Sequence, residues 1–122
     1  MPRLRVEVNR LDERKVQRFG ALRLKPLLQK GGLGQASVFH IRLGPGGRAP
    51  ATYHRQTHEF FFMLQGSVRG KIDGKSYRFG RGDSCFLPAG SIHEFLAGKS
   101  GAQTLAVFFP RLDLGKPDII AV

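Results

Sequence analysis

Four histidines, His40, His54, His58 and His93, and one glutamate directly after the third of them, Glu59, are the residues of this 122-residue chain whose types suit metal chemistry. Imidazole and carboxylate together bind Fe, Mn, Ni, Zn or Cu, with geometry and ligand number selecting among them. By spacing alone two arrangements are open. His54 and His58 stand four apart in His54-Arg55-Gln56-Thr57-His58, as a helical zinc pair would. The metalloprotease pattern, however, puts its glutamate beside the first histidine, whereas here it follows the second. The other arrangement gathers ligands from separate strands. Residues 52 and 54 share one strand face, because side chains alternate. Glu59 lies five residues past His54, so an unbroken strand would point it the other way. Arg55 to His58 must therefore turn or bulge the chain to return Glu59 to the same interior. Pro88-Ala89-Gly90 bends the chain ahead of His93. His40, between Phe39 and Ile41 and on the strand face of Arg42, reads as a surface or interface residue. Cys85 has no base beside it in sequence and reads as a structural thiol rather than a nucleophile.

The elements that must position these groups read as short strands. Leu4 to Val8 alternates with period two, and Ala21 to Leu24 and Ala36 to Leu43 are strand-like. Leu11 to Phe19 is polar, with room for a short helical turn, and Gly31, Gly32 and Gly34 mark a loop. Glu59 to Gln65, EFFFMLQ, is apolar on both faces and is expected to be covered on both, ending at Gly66. Val68 to Ile72 and Ser76 to Phe79 flank Asp73-Gly74, a strong signal for a tight hairpin. Ser84 to Leu87, His93 to Leu96 and Thr104 to Phe109 complete the set, and the tail after Pro110 is irregular, although Ile119 and Ile120 could pack. With 16 Gly, 7 Pro and no long helical pattern, the chain is expected to be all-β, an antiparallel sandwich or barrel, architectures that include the jelly-roll β-barrel.

Two segments carry a family resemblance. Gly46, Thr52, His54, Glu59 and Gly66 follow the spacing Gly, five residues, His-x-His, three or four residues, Glu, six residues, Gly, with Thr52 at the first histidine. Gly82, Pro88, Gly90 and His93 follow Gly, five residues, Pro-x-Gly, two residues, His, three residues, Asn, with Ala97 at the last position. Fifteen residues separate Gly66 from Gly82. The chain resembles the small single-domain cupins, with motif 1 at 46–66, motif 2 at 82–97, and N-terminal strands and a loop over 1–35 within a single domain of 1–122. The resemblance implies a double-stranded β-helix and a divalent metal, Fe, Mn, Ni, Zn or Cu, held by His54, Glu59 and His93. Two histidines and a carboxylate are the donor set of the non-haem iron facial triad, and they also suffice for a catalytic zinc with an open position. Thr52, Gln56 and His58 are candidates for a further ligand or polar pocket group. Phe61, Met63 and Phe95 are candidates for the pocket lining, with Phe60, Phe62 and Leu64 facing outward.

The implied function is a metal-dependent pocket for a small polar metabolite, in an oxygenase or isomerase. No separate general base or nucleophile stands out, and Arg42 and Arg55 are candidate anion contacts. The alternative is a metal-free ligand-binding or sensing module. The resemblance also implies a homodimer formed through the outward apolar face, unless the N-terminal strands cover it. The net charge is +11 and the pI near 10.9, with nine Lys/Arg against three acids in residues 1–30. Such a surface can attract nucleic acid. The basic residues are spread rather than clustered, though, and no helix-turn-helix or RNA-binding aromatic motif accompanies them, which weighs against that partner. One cysteine, no signal-like N-terminus and no run of about 20 apolar residues together predict a cytoplasmic protein without a membrane span.

Overall fold

Period-two alternation becomes nine strands in the computed structural model, which describes residues 6–28 and 35–122. A 3-10 turn at Leu11–Glu13 precedes β1 (Gln17–Phe19), β2 (Leu22–Pro26), β3 (Ser37–Leu43), β4 (Arg48–His54), β5 (His58–Ile72), β6 (Lys75–Gly80), β7 (Ser84–Leu87), β8 (His93–Phe109) and β9 (Ile119–Ala121). Every pairing is antiparallel, and the sheet curls into the expected all-β jelly roll. One path runs β1-β2-β3-β8-β4-β9, and β5 joins β8 to β6 and β7.

Two long strands shape the barrel. β5 does not end at Gly66, as the sequence suggested, but runs on to Ile72; the stretches His93 to Leu96 and Thr104 to Phe109 are the two ends of one strand, β8. The reason is a bend that keeps the ladder intact. Register shifts at Met63/Gln65 and Gly66/Val68 let β5 change direction while staying paired to β8. Gly66 has φ +76° beside Gly101 at φ +74°, and a Cβ on Gly66 would lie 2.0 Å from the Gly101 carbonyl oxygen. The bend divides the sheet into two facing halves. One holds β3 against the C-terminal part of β8, with the start of β5 and β7; the other holds β4 against the N-terminal part of β8, with the end of β5 and β6. Phe61 and Phe95, from opposite halves, meet edge to face at 5.5 Å. Gly66→Ala is expected to lower the unfolding free energy by about 2–4 kcal/mol, combining left-handed strain with a backbone clash. A urea titration monitored by circular dichroism measures it; an unchanged midpoint would mean the crossing is not tight.

Asp73 (φ 49°) and Gly74 (φ 81°) are both left-handed, so the β5–β6 hairpin turns as the Asp-Gly pair predicted. The core lies between the halves, with Met63, Leu87 and Ala106 at its centre. The N-terminal strand expected at Leu4 to Val8 is not formed over its described part. Val6 and Val8 are 92% and 68% exposed and pair with no strand, since three alternating residues without a neighbouring edge gain too little. Leu4 and Arg5, and the glycine loop at 31–34, lie outside the described residues. The outer face of β5 is not fully covered either: Phe60, Phe62 and Leu64 are each 38% exposed, next to Phe86 and Phe109. The tail supplies β9, where Ile119 and Ile120 pair with His54 and Tyr53 on β4.

Candidate metal centre

His54 ends β4, Glu59 is the second residue of β5 and His93 opens β8. β4 and the start of β8 belong to one half of the sheet, with Thr52 directly paired to His93. Glu59 belongs to the other half, paired to Phe108 and Leu87. Folding at Gly66 and Gly101 therefore brings residues from opposite ends of the β5–β8 ladder face to face. Ligand atoms of His54, Glu59 and His93 lie within 4.8 Å of one another. The His54 and His93 rings stack at 5.7 Å, and His54 Nε2 is 3.6 Å from Glu59 Oε1. All three side chains are largely buried.

The ring orientations follow from hydrogen bonding. His93 Nδ1 lies 3.0 Å from the Ser91 carbonyl oxygen, and His54 Nδ1 lies 3.4 Å from Asp118 Oδ1. A carbonyl and a carboxylate only accept, so both Nδ1 atoms carry the proton and donate. In the neutral form of each ring the Nε2 lone pair is then the one turned to the common point, the arrangement by which histidines serve as metal ligands. Two such nitrogens and one carboxylate fit a divalent transition metal.

Asp118, which sequence reasoning missed, builds the kink that returns Glu59 to the interior. Its Oδ2 accepts from the backbone N–H groups of Gln56 (2.7 Å) and Thr57 (2.9 Å), and its Oδ1 accepts from Thr57 Oγ1 at 3.0 Å. The Asp118 carbonyl accepts from Arg55 N–H at 2.9 Å. The C-terminal segment thus satisfies the backbone N–H groups of Arg55, Gln56 and Thr57 and the Thr57 hydroxyl in the turn between His54 and His58. Burial pushes the Asp118 carboxyl up, but these donors outweigh it and hold the pKa below the ordinary value of 3.8. Burial likewise pulls the His54 pKa down, while the Glu59 carboxylate, by hydrogen bond and charge, and then Asp118 raise it above 6.5 overall. Without a metal, the His54 ring therefore holds a proton more readily than a free imidazole, and an incoming cation would displace it. No local signal marks Asp118: its partners lie 61 to 64 residues away.

The other candidates fall in different places. Thr52 borders the cavity beside the three clustered residues. Gln56 is exposed and reaches the region only through its backbone N–H. His58 Nδ1 accepts the Ala89 N–H at 2.9 Å, and its ring packs against Phe109 and Phe86 on the outer face, away from the cluster. His40 lies on the face of β3 turned from the cavity but is buried rather than at the surface as expected, its Nε2 3.0 Å from Gln103 Oε1. Phe61 and Phe95 border the cavity, whereas Met63 is wholly buried in the core and does not. Arg42 and Arg55 are exposed and do not border it. Burial, then the Glu59 carboxylate, push the Cys85 thiol up, so it stays protonated and unreactive at neutral pH. The cavity holds about 180 Å³, and its walls are mostly apolar rather than suited to a polar metabolite. It runs from the His-Glu cluster towards Leu43, Val68 and Ala102 near the bend.

A family model described as a cupin domain matches residues 39–108. The chain belongs to the cupin family. This cupin is 27% identical over 101 residues to the tetracenomycin polyketide synthase protein TcmJ of Streptomyces glaucescens, covering 77% of this chain and 67% of that protein. It is 33% identical over 67 residues to quercetin 2,3-dioxygenase of Bacillus subtilis (strain 168), covering 52% of this chain but only 20% of the dioxygenase. Its fold matches the structure of a Streptomyces PAC13 variant with uridine at a TM-score of 0.79, with 12% identity over 98% of this chain and 92% of that one. Among the described residues of the cupin, no helix is long and apolar enough to cross a membrane.

Proposed function

We propose that this cupin, a single domain over 1–122, holds a divalent metal ion between His54, Glu59 and His93 and binds a small molecule in the adjoining cavity, as an oxygenase or isomerase. The observation that carries the reading is the convergence of two Nε2 lone pairs and one carboxylate at the end of a largely apolar cavity. The stretch of sequence similarity to a dioxygenase supports the oxygenase direction. When bound, the ion supplies Lewis acidity or activates water or dioxygen. The chain's own residues do the rest. Asp118 and the Ser91 carbonyl orient the two imidazoles, and the aromatic walls exclude water and fix the ligand's plane. The lone thiol, Cys85, suits a reducing, cytoplasmic setting.

A second reading, a metal-free binding or sensing module, draws on Thr52 at the first histidine of the motif and on the approach of His54 Nε2 to Glu59 Oε1 at 3.6 Å, an ion pair when the ring is protonated. Elemental analysis of protein purified without a histidine tag separates the two. Stoichiometric Fe, Mn, Ni, Zn or Cu supports the metal reading. Metal-free protein that also fails to bind added metals supports the second. Thermal shift against ligand panels follows in either case, because a molecule bound to the folded state raises its melting temperature.

We further propose a homodimer through the outer face of β5. Phe60, Phe62, Leu64, Phe86 and Phe109 form an exposed apolar patch there, of the kind that marks an interaction surface. Light scattering is expected to give a dimer for the native chain and a monomer for Phe62→Lys. A native monomer at about 100 µM would reject the interface, since an interface of standard size holds at that concentration.

A further inference from the structure

The chain carries a net charge of +11, yet among the described residues no lysine or arginine borders the cavity. The polar side chains that do border it are His54, Glu59, His93, Thr52 and Thr104; the rest of the wall is hydrocarbon or glycine. We infer that the cavity takes a compact apolar molecule of single-ring size whose oxygen atoms sit together on one edge, and not a phosphate ester, a dicarboxylate or a polyol. The inference rests on the metal reading for the role of those oxygens, but the apolar wall supports the ligand's body independently.

Three properties of the cavity lead there. Its polarity is one-sided. The His-Glu cluster and Thr52 lie at one end and Leu43, Val68 and Ala102 at the other, with the Thr104 hydroxyl the one further polar side chain on the wall among the described residues, so a ligand with several polar groups at both ends would leave most of one set buried without partners. Its charged side chains are also one-sided: among the described residues Glu59 is the one carboxylate that borders it, and no lysine or arginine does. A phosphate or dicarboxylate would find only the bound ion to pair it, beside a carboxylate and with no guanidinium or ammonium on the wall for its remaining oxygens, against the usual pattern of phosphate recognition. Its size is that of one substituted ring. A volume of about 180 Å³ slightly exceeds the roughly 150 Å³ of an apolar protein cavity that accepts benzene. Phe61, Phe95 and Phe108 border this space, and the edge-to-face pair of Phe61 and Phe95 offers both a ring face and a ring edge to a flat guest.

The probes are 4-nitrocatechol, with two adjacent oxygens on one ring edge, nitrobenzene, with the ring but not that pair, and glucose 6-phosphate and oxalate, with charge but no apolar body. Each is titrated by absorbance or calorimetry into protein loaded with zinc, whose content is measured on the same sample, and into metal-free protein. The expected result is 4-nitrocatechol binding at least about tenfold tighter than glucose 6-phosphate or oxalate. Ala102→Val, which narrows the end of the cavity opposite the cluster, is expected to weaken 4-nitrocatechol without changing zinc content. Arg42→Gln, at an exposed position that does not border the cavity, is expected to leave it unchanged. Tighter binding of glucose 6-phosphate or oxalate, or 4-nitrocatechol affinity unaltered by Ala102→Val, overturns the inference. If zinc fails to bind, the metal reading falls separately. A melting temperature of the metal-free protein raised by nitrobenzene but not by glucose 6-phosphate then still upholds the apolar ligand class, and the reverse overturns it.

Discussion

Replacing His93 with alanine is expected to reduce divalent-metal affinity on the order of 10²- to 10³-fold while leaving the barrel folded. The ring contributes one of three converging donors, and its removal leaves a two-donor set that water must complete. Structural metal sites derive their binding free energy from a few ligands, so losing one costs about 3–4 kcal/mol of it. The fold should survive because the backbone of residue 93 keeps its pairing to Thr52 and Ile72 whatever the side chain. The Nδ1–H bond to Ser91 is local, and the vacated volume opens onto the cavity rather than the packed core. Metal titration by calorimetry, with a circular dichroism melt of the same sample, gives both quantities. Full retention of metal by the variant would remove His93 from the ligand set; loss of the melt transition would make the residue structural.

Asp118→Asn is expected to weaken metal binding by about 10- to 100-fold, although residue 118 touches no metal. Four donors converge on its two carboxylate oxygens: the N–H groups of Gln56 and Thr57, the Thr57 hydroxyl and His54 Nδ1. Asparagine offers one acceptor oxygen and turns an NH₂ group towards donors, so either the 55–57 turn or the His54 ring loses its anchor. Loosening the turn displaces Glu59, and loosening the ring lets Nε2 swing out of line. The visible absorption of the cobalt(II)-substituted protein reads the second effect directly, since it reports ligand geometry at the ion. An altered spectrum together with weaker binding identifies Asp118 as a positioning residue. An unaltered spectrum and affinity, accompanied only by a lower melting temperature, would limit it to holding the turn.

Much of the strand pattern was legible because it is local. β3, β7, the hairpin at Asp73-Gly74 and the first part of β5 follow from alternation and turn chemistry within a few residues. The Leu4 to Val8 stretch shows the limit: alternation was present, but Val6 and Val8 found no neighbouring edge. Gly66 shows another. A glycine amid apolar residues reads as a strand end, and only the ladder to β8 reveals that it bends a strand that continues. His58 was ambiguous on spacing alone; its bond to Ala89 and its packing on Phe109 turn it to the outside.

The amino-acid order by itself determined the all-β character, the cupin motif spacing and the residues with donor groups, since these depend on residue type and short separations. The tertiary structure decided which ends of β5 and β8 face each other, that Asp118 braces the turn, and that the cavity wall is hydrocarbon in a chain carrying 20 Lys and Arg. The physical reason is separation along the chain. The orientation of His54 and of the turn ahead of Glu59 depends on a partner about 60 residues away, and no local window of sequence contains it.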